Sequence, residues 1–140
     1  MSKEKWIFGA TALGFAGVGI AMLIFPNLMS IVGVKELTNS GTVEIRALSG
    51  GLELGIGLFF LLALNRPKWF RPALVAQVCL LGGLSLGRIL GLLIVNWNAK
   101  PLIYLVLAGE LMLAILGAST LIMNKKVKKK NEFETKIDKY

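Results

Sequence analysis

Four runs of apolar residues divide the chain: Trp6 to Phe25, Glu44 to Leu64, Pro72 to Val95 and Pro101 to Met123. Each is close to the roughly 20 residues that a helix needs to cross about 30 Å of hydrocarbon. Polar and apolar positions do not alternate strictly within them, which favours helices over the alternating strands of a membrane barrel. Short polar breaks at 65–71 and 96–100 force their neighbours to be antiparallel, whereas 26–43 is longer. Within that longer connection Asn27 to Val34 has the composition of a short interfacial helix, and Asn39-Ser40-Gly41 that of a turn. Pro72 and Pro101 suit first-turn positions, where a missing N–H costs nothing. The expected fold is all-α, an up-down-up-down four-helix bundle in a membrane: a transmembrane domain over 1–123 and a basic tail over 124–140.

Composition agrees, since 55% of the 140 residues are hydrophobic, above the roughly 45 to 50% of a soluble domain. The first run is too long for a cleaved leader and lacks a small-residue cleavage site after Pro26, so it reads as a retained helix. The chain has no histidine and one cysteine, Cys79. Histidine-ligated haem or metal, a Ser-His-Asp triad and an internal disulfide are excluded within it. No cofactor or metal is expected.

The net charge of +8 is half explained by the tail, where seven lysines face Glu132, Glu134 and Asp138. No aromatic-interleaved basic module accompanies them, so nucleic acid is not an expected partner. Lysines directly after a membrane helix instead set topology and attract anionic lipid. Lys3, Lys5, Arg66, Lys68, Arg71 and the tail lysines fall on one side, against Lys35 and Lys100 on the other. By the positive-inside rule both termini are expected to be cytoplasmic. Trp6, Trp69, Phe70 and Trp97 then stand at helix ends, where amphipathic rings favour the interface.

Charges at depth locate the candidate site. Glu53 and Glu110 each lie about 13 Å below the outer starts of their helices, and Arg88 about 10 Å from the outer end of its own. Arg46 precedes Glu53 by seven residues, about 20° away on an ideal helix, which extends the cluster outwards. Arg46, Glu53, Arg88 and Glu110 are thus formally neutral together. Such charges persist in hydrocarbon only when paired, protonated or facing a polar cavity. Gln77 on the Arg88 face, nearby Ser85, and Glu44 at a helix start are accessory candidates. Small residues allow close helix approach, which marks Gly50, Gly51, Gly55, Gly83, Gly87 and Gly91 as packing positions, within the bundle or in a homodimer.

Glu44-Ile45-Arg46-Ala47 with Gly50-Gly51, then Gly82-Gly83-Leu84 with Gly87-Arg88, then a glutamate in the last helix, resemble a family of small bacterial four-helix membrane proteins, the DUF4345 type. The likeness runs from about Gly9 to Met123. It implies the topology and no activity; similarity to the DoxX type is at fold level only.

Three functions fit these residues. In the first, the cluster binds a small amphiphilic or anionic ligand or a proton, with Arg88 as anion contact and Glu53 or Glu110 as acceptor. In the second, the chain is a structural or assembly subunit whose ion pairs fix the bundle against a membrane-protein partner. In the third, ranked last, a buried glutamate moves a proton in an isomerase. Nothing in the sequence completes a catalytic constellation, so no catalytic residue is assigned.

Overall fold

The computed structural model describes residues 3–34 and 38–137, with side chains over 5–34 and 38–123. Lys35 and the side chains of the tail lysines, which entered the charge count, lie outside these. Helix α1 (Lys3–Ile24) is followed by a 3₁₀ helix (Pro26–Val32). Then come α2 (Asn39–Leu64), α3 (Pro67–Ile94) and α4 (Pro101–Ile137). All four long helices are apolar enough over a sufficient length to cross a membrane. The fold is the expected all-α four-helix arrangement.

Boundaries differ where local chemistry overrides hydropathy. Helix α2 starts five residues before Glu44, because Asn39-Ser40-Gly41 is its first turn rather than a reverse turn. The Thr38 side chain accepts the Gly41 N–H at 3.1 Å and caps it. Helix α3 starts at Pro67, which takes the first-turn position expected of Pro72. Pro72 therefore stands inside the helix and leaves the Lys68 carbonyl without its i+4 donor. Helix α4 runs past Met123 through the lysine tail to Ile137, since Lys and Glu are good helix formers.

The helices pack as two hairpins. Helix α1 lies along α2 and α3 along α4, with smaller contacts between α2 and α3 and slight ones between α1 and α4. At the end carrying the starts of α1 and α3, Phe8, Ala12, Phe60, Ala63, Ala73 and Leu74 form the buried core. Phe8 meets Phe60 and Phe70 with ring centroids 5.1 and 5.2 Å apart, and Phe15 meets Phe60 edge-on. Large apolar side chains such as Leu13, Leu62, Leu86 and Ile115 point outwards. A soluble bundle buries such a surface, whereas lipid solvates it.

The α1–α2 contact depends on glycine, although not chiefly on the expected ones. A Cβ at Gly57 would lie 2.5 Å from the Ala16 nitrogen and 2.9 Å from the Ala12 carbonyl oxygen. One at Gly19 would run into the backbone of Leu54, and one at Gly50 into Leu23. At Gly55, Gly83, Gly87 and Gly91 an added methyl group would meet no atom within 4 Å, and at Gly51 only the Arg46 carbonyl. Of the six expected packing glycines, Gly50 alone makes a close interhelical approach. The GxxxGxxxG ridge of α3 faces outwards because the opposite stripe, with Gln77, Leu81, Ser85 and Leu92, is the buried one.

The far end is closed by loop contacts. The 3₁₀ helix stops at Gly33, whose φ of 107° is the left-handed region open to glycine. Lys100 donates to its Ser30 and Ile31 carbonyls, both at 3.0 Å. The α3–α4 turn holds Asn96 and Trp97 at φ of 50° and 60°. For a residue as large as Trp97 this conformation is strained. The Tyr104 hydroxyl donates to the Trp97 carbonyl, and the two rings stack at 6.5 Å, which holds the turn.

Candidate functional site

Helices α3 and α4 present the central pair. Arg88 follows Gln77, Leu81 and Ser85 on the buried stripe of α3, and its Nη1 donates to Glu110 Oε1 on α4. The pair thus links α3 to α4. Glu110 is buried while Arg88 is partly exposed, so the carboxylate is the more desolvated partner. Its second oxygen, Oε2, is buried and has no hydrogen-bond partner. Neither has Ser85 Oγ, one helical turn from Arg88 on the same face.

Glu53, from α2, completes the group. It is half-buried and close enough to Arg88 and Glu110 to feel both charges, attracted by one and repelled by the other. Among the described residues the ion pair is Arg88–Glu110, so Glu53 carries no direct salt bridge. One arginine stands among two carboxylates drawn from two further helices.

Arg46 does not join them. Residues Arg46–Leu52 form a π-helical stretch, in which a turn takes an additional residue. That residue sets the face about 100° behind the α-helical register on which Arg46 and Glu53 were expected to align. Ser49, Gly50 and Gly51 occupy this stretch, and glycine holds α-helical geometry weakly. The Arg46 side chain is instead exposed, and its Nε donates to the Leu23 carbonyl at 3.0 Å, satisfying an open carbonyl at the end of α1. The cluster therefore has three members, and its formal charge with both acids ionised is −1 rather than zero.

The accessory candidates separate too. Glu44 is exposed in the second turn of α2, since that helix starts earlier than expected. Gln77 shares the Arg88 face but stands about 16 Å along α3 from it. There its Nε2 donates to the Leu113 carbonyl at 3.4 Å, and its Oε1 is buried without a partner. Sequence reasoning missed Gly19, Gly57 and Gly117, the last of which leaves room beside Val78 and Gln77. It also missed Lys100, whose partners lie about 70 residues away.

A family model described as a domain of unknown function, DUF4345, matches residues 4–121, which contain all three cluster members. No curated protein and no solved structure matches the chain.

Proposed function

The chain belongs to the DUF4345 family, and we propose that this multi-pass membrane protein binds a small amphiphile at Glu53, Arg88 and Glu110. The ligand group that fits is cationic or donates hydrogen bonds; a proton takes its place in the empty site. One observation carries this reading: Glu110 pairs with Arg88 through one oxygen and keeps the other buried and unbonded, while Glu53, within the field of both, has no salt bridge among the described residues. An uncompensated charge and an orphaned acceptor are both costly in a low-dielectric interior. A donor placed between Glu53 and Glu110 Oε2 relieves both. An anionic ligand is less suited, because it has to displace Glu110 before it meets a free cation. Lys3 and Lys5 at the start of α1, Arg66, Lys68 and Arg71 around the start of α3 and the lysines at the end of α4 support cytoplasmic termini, with the cluster in the outer half of a cytoplasmic membrane.

The second reading, a purely structural pair, is favoured by the fact that Arg88 and Glu110 join two helices that already pack side by side. Mass spectrometry of small molecules that co-purify in mild detergent separates the two. Glu53→Gln keeps the ion pair and removes the unpaired carboxylate. A stoichiometric species present in wild type and lost in a folded Glu53→Gln variant supports binding. The same species at the same stoichiometry in both leaves only the structural role.

A further inference from the structure

A second site lies at the opposite end of the buried stripe of α3. Helices α1 and α4 barely touch, and between them, over Leu74 and Gln77 of α3, is a cavity of about 170 Å³. Phe8, Leu116 and Met123 give it apolar walls. An engineered apolar cavity of about 150 Å³ holds one benzene molecule, so the space suits a single aromatic ring. Met123 is exposed at its edge, which leaves a lateral way in from lipid.

The polar lining centres on the Gln77 amide. Gln77 is 1% exposed, and one N–H of its amide donates to the Leu113 carbonyl while Oε1 is left without a donor. The Ser119 and Thr120 hydroxyls that also line the cavity both donate to the Leu116 carbonyl, at 2.8 and 2.9 Å, so neither serves Gln77. Gly117 makes room for Val78 at the same wall: a Cβ there would lie 2.9 Å from Val78 Cγ2 and in ordinary contact, at 3.7 Å, with Gln77 Nε2. A buried acceptor without a donor is costly, and an occupant that brings a donor removes the cost.

We propose that this cavity binds the ring of a phenolic amphiphile, whose hydroxyl donates to Gln77 Oε1 while its tail leaves past Met123 into lipid. Ring heads that offer only ether or ketone oxygens fit less well, since they leave Oε1 without a donor. A reduced, hydroxyl-bearing ring is thereby distinguished from its oxidised, carbonyl-bearing form. The site is independent of the Glu53 cluster, about 16 Å away along α3.

The test uses the full chain in detergent with 4-butylphenol and 4-butylanisole, which share ring and tail but differ in the donor, at equal mole fractions in the micelle. Equilibrium dialysis should show the phenol binding wild type about tenfold more tightly, the value of one well-formed hydrogen bond. Gln77→Met should lower the phenol to the anisole's level. Equal binding of the two probes to wild type overturns the proposal, as does binding of neither. The wild-type comparison decides even where Gln77→Met fails to fold.

Discussion

Replacing Gly57 by alanine puts a methyl group 2.5 Å from the Ala16 nitrogen and 2.8 Å from its Cα, both backbone atoms of α1. Ordinary contact begins near 3.4 Å, so the helices must separate by about 0.9 Å, the difference between these distances. No side-chain rotation relieves the clash. Overpacking of this kind costs about 1–3 kcal/mol. Alanine returns about 0.8–1.0 kcal/mol through its better helix propensity. Gly87→Ala shares that gain and meets no atom within 4 Å, so subtracting one variant from the other isolates the clash. The expected difference is about 1–3 kcal/mol, or roughly 5-fold to 150-fold in the unfolding equilibrium. Reversible unfolding by SDS in mixed micelles, followed by fluorescence of Trp6, Trp69 and Trp97, gives both values. Equal stabilities, or Gly87→Ala as the weaker protein, would refute the assignment of the tight α1–α2 contact to Gly57 rather than of a tight contact to the outward ridge.

Arg88→Met should destabilise by about 3–5 kcal/mol because it strands the buried Glu110, whereas Arg88→Met with Glu110→Met should regain most of the loss. The same unfolding assay measures this cycle, and additive losses would argue that the pair is not coupled. Lys100→Met removes two bonds to the end of the 3₁₀ helix. Because these are exposed, the expected loss of stability is small, about 1 kcal/mol at most. Its signature is faster amide exchange over residues 29–34 with α3 and α4 unchanged, and uniform exchange would rule out the clamp.

Hydropathy made the four helices legible because lipid leaves their faces apolar all round, and length alone then separates the spans. The same property hid their orientation. With Leu and Gly on every side, nothing in α3 marks which stripe is buried, so Gly83, Gly87 and Gly91 looked like packing residues while Gly57 and Gly117 did not. Charges were the exception, since a charge at depth must turn inwards. Depth counting placed Glu53, Arg88 and Glu110 at one level, and the structure pairs Arg88 with Glu110. It failed for Arg46, because a regular 3.6-residue period was carried across a stretch that does not keep it. Thr38 was readable as a cap, but the Asn-Ser-Gly that follows it also spells a turn, and local sequence does not choose between the two.

The π-helical stretch makes the charge of the cluster sensitive to chain length. Loss of a single residue between Arg46 and Glu53 would let α2 close into regular α-helical turns and swing Arg46 forward by about 100°. Arg46 would leave the Leu23 carbonyl and come round toward the Glu53 face, giving two arginines for two glutamates. A one-codon deletion in the Ser49-Gly50-Gly51 run would then take the formal charge of the group from −1 to zero without replacing any charged residue. Length in this segment, as well as residue identity, is a means by which the charge of this group can diverge between otherwise similar chains.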